Sequence, residues 1–288
     1  MNIRKFVTYL CLLVIAASSL SVGELLAAPR IKLKAKSAIL INDSNGNVLY
    51  TKNPDRPMHP ASLTKILSLY LVHEAITQGR IHPTDTVKIS MNAQLTGGSS
   101  MYLVDETEVV LDDLIKGMAV VSANDASIAV AEHLGGSIDG FVSMMNAKAK
   151  ALGMKRSHFV NPNGLPARGQ VTTARDILKL SRAYISDFPE ALQIHSMQEY
   201  TFGNITQRNS NTLLKQCEDV DGLKTGFVRS AGFHLVATAK RGDTRLIAVV
   251  MGEKNPRIRS RDTTRLLEQG FRMVAGKGKT AVSLKSSS

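Results

Sequence analysis

Ser62 and Lys65 stand three residues apart in the run Ser62-Leu63-Thr64-Lys65, where the chain turns from a proline-rich approach into helical spacing. Residues three apart share one face of a helix, so the hydroxyl and the amine can meet. A serine hydroxyl is a poor nucleophile until a base takes its proton. Lysine can be that base only as a free amine, which requires burial or a second cation nearby to lower its pKa. The free N–H groups at a helix start also favour developing negative charge. The chemistry these residues suit is acyl transfer through a serine ester.

Two further clusters fit the same chemistry. Lys224-Thr225-Gly226, followed by Phe227, opens a β segment. Lys224 supplies the second cation that Lys65 needs, Thr225 offers a hydroxyl to a carboxylate, and Gly226 lets a substrate backbone approach closely. Ser122-Ala123-Asn124 falls at a break between helical runs. Ser122 can relay a proton to a leaving amine, and Asn124 can hold a substrate carbonyl. Ser90-Met91-Asn92 has the same spacing, so that triplet is weak alone. Ser-x-x-Lys and Lys-Thr-Gly each occur once in the chain.

The elements that position these residues follow from pattern. Residues 37–43 and 47–51 alternate as strands around the turn-forming Asn45-Gly46. Leu63, Ile66, Leu67, Tyr70, Leu71 and Ala75 recur at helical spacing, predicting a helix from Ala61 or Ser62 to Gln78, with Gly79 as its stop. Residues 111–153 read as three helical pieces with breaks near Ser122 and at Gly135-Gly136. A helix over 172–188, a hairpin of 232–240 with 244–251, and a last helix over 257–275 complete the chain. Strands at both ends with helices between predict an α+β fold. One antiparallel β-sheet is built from both chain ends and flanked by helices, with an all-helical lobe inserted.

Composition narrows the setting. Arg4 and Lys5 precede an apolar run from Phe6 to Ala17, and small residues follow to Leu26-Ala27-Ala28. That is the layout of a secretory signal peptide, its apolar run short for a membrane span, with an uncleaved N-terminal anchor as the other reading. The reading is a signal peptide over 1–28, a catalytic domain over 29–275 and a flexible tail over 276–288, with export to the periplasm or another extracytoplasmic space. Cys11 lies in the signal, so Cys217 has no internal disulfide partner. The net charge of +12 suits acidic wall or lipid partners, and export argues against nucleic acid. The histidines make no metal pattern, and no metal or other cofactor is expected. Asp112-Asp113 reads as the acidic bias of a helix start.

Taken in order, the three clusters are a signature shared by class A β-lactamases and penicillin-binding proteins. With Asn163-Gly164-Leu165, Thr173-Ala174-Arg175-Asp176 and Val220-Asp221-Gly222 beside them, residues 37–273 resemble the low-molecular-mass penicillin-binding proteins that act as serine-type D-alanyl-D-alanine carboxypeptidases. The resemblance implies the β-lactamase/transpeptidase-like fold and removal of the terminal D-alanine from peptidoglycan stem peptides, with β-lactams as covalent inhibitors. It implies Ser62 as nucleophile, Lys65 as base, and Ser122 with Asn124 for proton transfer and positioning. Lys224, Thr225 and Arg259 would bind the substrate carboxylate region. The N–H groups of Ser62 and Phe227 would form an oxyanion hole. Phe227 stands where relatives often carry His, and Ser210 where some carry Arg. No second β-domain and no C-terminal membrane anchor is expected. Other readings are a D,D-endopeptidase on cross-links, a β-lactamase and a non-catalytic wall-binding module. A class A β-lactamase needs a deacylating Glu, and none occurs between Glu132 and Glu190.

Overall fold

Alternating apolar residues at both ends of the chain pair into one sheet. β1 (Ser37–Asn42) turns back at Gly46, whose φ of 72° needs a residue without Cβ, into β2 (Val48–Lys52). β7 (Val220–Val228), β8 (Gly232–Arg241) and β9 (Thr244–Glu253) come from the other end. The five run antiparallel in the order β2-β1-β9-β8-β7, with Ile39 opposite Val249 and Lys224 opposite Val236. The computed structural model describes residues 31–283. The segment read as a signal peptide and the end of the tail lie outside the described residues.

Period-2 alternation sends side chains to both faces of the sheet. Ile39, Ile41, Ile247, Val249 and Met251 join the main core on one face. On the other, α9 (Pro256–Ser283) presses so close that a Cβ on Gly270 would stand 2.7 Å from Leu40 and 2.8 Å from Leu246. Each such isoleucine or leucine, buried to 2 % exposure or less, contributes roughly 1.5–3 kcal/mol. α9 runs past Ala275, where the sequence reading ended it. Gly276 and Gly278 lie in the added stretch, and an interior glycine costs a helix only about 1 kcal/mol.

The inserted lobe lies between β2 and β7. A 3-10 turn, Ala61–Leu63, runs into α1 (Thr64–Thr77), which is buried on every side from Thr64 to Val72. That all-round apolar character marks a central core helix. β3 (Thr86–Lys88), α2 (Met91–Gln94) and β4 (Glu108–Val110) follow. The β3–β4 pair means the lobe is not purely helical. Next come α3 (Leu111–Lys116), a π-turn at Gly117–Val121, α4 (Asn124–Gly135) and α5 (Ile138–Ala151). α6 (Ala174–Asp187) packs on the sheet, its Thr173 cap accepting from Asp176 N–H at 3.1 Å. α7 (Ala191–His195), the hairpin of β5 (Glu199–Phe202) and β6 (Ile205–Arg208), and α8 (Leu213–Gln216) lead into β7. Asp112 and Asp113 lie in the first turn of α3, where the helix dipole favours them, and Asp113 accepts from Tyr200 OH at 2.6 Å.

Candidate active site

Three elements meet around Ser62. The 3-10 turn presents it half-buried, with Ala61 before it at a positive φ of 50°. The loop Asn161–Leu165 clamps that turn. Asn161 Oδ1 accepts from Gly164 N–H (2.8 Å) and Gln170 Nε2 (2.9 Å), and its Nδ2 donates to Leu165 O (3.0 Å). Gly164, at φ 83°, sits so close that a Cβ would fall 1.9 Å from Ala61 O. From the third side β7, the sheet's edge strand, brings Gly226 within reach. A Cβ there would stand 3.2 Å from Ala61 Cβ and 3.3 Å from Ser62 N. Glycine at 226 therefore permits a close approach of β7 to the nucleophile's turn.

Lys65, fully buried, lies one helical turn inward. Its Nζ is 2.6 Å from Asn124 Oδ1, 2.7 Å from Asn163 O and 3.3 Å from Ser62 Oγ. Burial lowers its pKa well below the ordinary lysine value, the Lys224 charge lowers it further, and Asp125 opposes both. A neutral amine has two N–H bonds and one lone pair. As a free amine, Lys65 would give its two N–H bonds to the two carbonyl oxygens and leave its lone pair for the Ser62 hydroxyl. The Asn163 carbonyl escaped sequence reading, because a backbone acceptor leaves no side-chain signal beyond the loop-forming Asn161-Pro162-Asn163-Gly164.

The cations form a graded series. Lys224, 3 % exposed, is pushed down to about 7 by burial and then by Arg259. Burial lowers Arg259 only to about 10, so it keeps its charge at neutral pH. Arg259 donates to Ser210 O at 3.0 Å and lines the cleft. Arg261 instead pairs with Asp262 at 3.0 Å. Lys224 also acts on His195, which burial, helped by that charge, holds neutral down to about 3; its Nδ1 donates to Leu223 O at 3.0 Å.

Ser122 ends the π-turn in a left-handed conformation, φ 66°, uncommon for a non-glycine residue and found where a side chain must be aimed. Asn124 Nδ2 donates to Gly97 O at 2.7 Å, so both ends of this amide are fixed by protein groups. Next to it, buried Asp125 accepts from Met101 N–H, Leu103 N–H and Ser100 Oγ at 2.6–3.2 Å, pinning the loop that forms the opposite wall. Asp125 was not singled out in the sequence, and its role is visible only through these bonds.

The cleft encloses about 470 Å³. Ser62, Ser122, Asn124, Thr225, Gly226, Phe227 and Arg259 line it, and Lys65 and Lys224 lie behind that surface. Phe227 is 53 % exposed and stacks on Phe233, with ring centroids 4.2 Å apart. All nine residues predicted from sequence thus converge. No Asp or Glu lines the cleft, and no His, Cys, Asp or Glu cluster able to hold a metal occurs among the described residues.

Comparison with known proteins agrees with this geometry. The family described as D-alanyl-D-alanine carboxypeptidase (peptidase S11) matches residues 24–255. The chain is 41 % identical over 268 residues to D-alanyl-D-alanine carboxypeptidase DacC of Escherichia coli strain K12, covering 91 % of this chain and 66 % of that protein. Penicillin binding protein 5 of Haemophilus influenzae superposes with a TM-score of 0.82 at 39 % identity, over 84 % of this chain and 72 % of that one. Penicillin-Binding Protein D2 of Listeria monocytogenes, solved in an ampicillin-bound form, superposes at 0.77 and 33 % identity, over 84 % and 99 %. The chain spans about two thirds or less of the length of the first curated relatives it matches. Among the described residues no helix is long and apolar enough to cross a membrane.

Proposed function

Because the chain belongs to the D-alanyl-D-alanine carboxypeptidase family, we propose that it releases the terminal D-alanine from peptidoglycan stem peptides through an ester on Ser62. The observation that carries this reading is the buried Lys65 amine, its pKa lowered by burial, 3.3 Å from Ser62 Oγ and held by the Asn124 and Asn163 oxygens. Lys65 takes the hydroxyl proton as Oγ attacks the carbonyl carbon of the penultimate D-alanine. The N–H groups of Ser62 and Phe227 receive the developing oxyanion, a contribution worth roughly 3–4 kcal/mol per donor. The C–N bond then breaks, and the proton passes through Lys65 and Ser122 to the leaving amine. Free D-alanine departs. Water, deprotonated by the same groups, attacks the ester and restores Ser62, leaving the shortened peptide with a new carboxylate.

Lys224, Thr225 and Arg259 would bind the substrate's terminal carboxylate, and the graded charges of Lys224 and Arg259 suit an anion. β-Lactams would acylate the same serine, and the absence of a carboxylate lining the cleft supports slow release of that adduct. Residues 1–28, with their basic start, apolar run and small-residue end, would direct export to the extracytoplasmic space where such peptides lie.

The test is mass spectrometry of a pentapeptide ending in D-Ala-D-Ala after incubation with the purified chain. A tetrapeptide and free D-alanine are expected, together with a penicillin adduct on the tryptic peptide containing Ser62. Ser62→Ala should lose both. An adduct that persists in Ser62→Ala, or sits on another peptide, would place the nucleophile elsewhere.

A further inference from the structure

Behind the catalytic turn lies a second cavity of about 220 Å³, lined by Lys36, Arg56, Pro57, Met58, His59, Ser230 and Ala231. Its charged and titratable lining consists of Lys36, Arg56 and His59, with no carboxylate among them. Asp55, the nearest acid in sequence to Arg56, is committed to Arg175 through two bonds of 2.8 and 2.9 Å. Lys36 Nζ reaches only the Ala231 carbonyl, at 3.4 Å. His59 Nδ1 accepts from Ala61 N–H at 3.1 Å, which places the ring proton on Nε2, and that nitrogen has no partner among the described residues. After burial and two backbone contacts, the charges of His59 and Lys36 both act on buried His234, so the two groups converge on one region.

We propose that this cavity is a binding site, separate from the catalytic cleft, for a phosphate group. The Arg56 fork, the Lys36 ammonium and the Ser230 hydroxyl are donors on the lining of one small volume. A tetrahedral oxyanion has acceptors in enough directions to meet them, and a planar carboxylate does not. The same lining leaves room for an organic substituent on the phosphate. The site also touches the nucleophile's support. Ala61, Val228 and Ala231 form a small apolar cluster of their own; Val228 borders the cleft and Ala231 borders this cavity. An anion held here would bear on the turn that presents Ser62.

The experiment is isothermal titration of the full chain at pH 7 and constant ionic strength, with inorganic phosphate in one arm and glycerol 3-phosphate in the other. Saturable one-site binding is expected. Tighter glycerol phosphate identifies a phosphate carried on a larger molecule, and equal affinity identifies the free ion. Lys36→Gln and Arg56→Gln each remove one charge-assisted bond and should weaken binding about tenfold. Ser230→Asp places a negative charge in the cavity and should abolish it. Arg259→Gln, in the cleft, should leave the affinity within about twofold. All three cavity side chains are exposed, and unchanged melting in phosphate-free buffer checks their folding. No saturable heat with wild type, or loss of binding in Arg259→Gln with retention in the cavity variants, overturns the proposal.

Discussion

Lys65 Nζ and Asn124 Oδ1 are 2.6 Å apart, an uncharged contact at an amine whose pKa is lowered by burial and then by the Lys224 charge. The amide oxygen takes one N–H of the amine but carries no charge to stabilise an ammonium. Asn124→Asp keeps the shape and adds that charge, so the Lys65 pKa must rise. Acylation by penicillin at pH 7 should fall by about 100-fold, within the range of a lost general base. It should recover as the pH is raised past the new value. Stopped-flow rates from pH 6 to 10 make the comparison. Equal rates for both proteins at every pH would remove the base role from Lys65.

The graded cations predict a bell-shaped profile of kcat/KM. The acid limb follows loss of the Lys65 proton, and the alkaline limb follows loss of the Lys224 charge, starting near 7. Arg259 is the neighbouring charge that helps burial hold Lys224 down. Removing it in Arg259→Gln should raise the Lys224 value and move the alkaline limb to higher pH, even as carboxylate binding weakens and KM rises. A limb that stays in place would show that another group controls it.

Seven of the nine residues named from sequence were legible because each cluster combines unusual types at fixed spacing, whereas Phe227 and Arg259 entered only through the family resemblance. Ser62 and Lys65 needed only the i, i+3 rule. Asn163 and Asp125 were not legible, since one acts through its carbonyl and the other mainly through backbone N–H groups 22 and 24 residues earlier. Only half of the β5–β6 hairpin carries a strand pattern. Glu199–Phe202 is rich in strand formers, but Ile205–Arg208 is mostly exposed and polar, so its pattern carries no buried face. The end of α9 was misplaced because glycine is a weak stop signal when no cap accompanies it.

Two glycines at the nucleophile's turn should respond differently to alanine. At Gly164 the new Cβ meets backbone, 1.9 Å from Ala61 O, and its φ of 83° disfavours any side chain. Gly164→Ala should lower the melting temperature by many degrees, since strain and overpacking together cost several kcal/mol. At Gly226 the Cβ meets Ala61 Cβ at 3.2 Å and Ser62 N at 3.3 Å, contacts that a shift of a few tenths of an ångström relieves. Gly226→Ala should melt within a few degrees of wild type yet acylate at least about tenfold more slowly, because the turn that moves is the one presenting Ser62. Calorimetry and penicillin acylation on the same samples separate the two effects. Full acylation in Gly226→Ala would detach the close approach from catalysis.

A buried acid pair gives the stability of the chain a pH dependence of its own. Glu253, at the end of β9, and Asp262, on α9, are both fully buried. Asp262 accepts Lys34 N–H at 2.8 Å and the Arg261 guanidinium at 3.0 Å. Burial, followed by the nearby Asp262 carboxylate, raises the Glu253 pKa from 4.5 to about 7. Between those values the native protein holds a proton that the unfolded chain has released. Stability from this group is therefore full below about pH 4.5 and is lost as the pH rises towards 7. Glu253→Gln is neutral at every pH and should gain melting temperature relative to wild type on going from pH 5 to pH 8. Taking the difference between the two proteins cancels the opposite contributions of His195 and His234, which burial keeps neutral in the native state. Differential scanning calorimetry at unit pH intervals reads the effect. A constant offset between the two melting curves across that range would mean that Glu253 is ionised throughout and that the pair shares no proton.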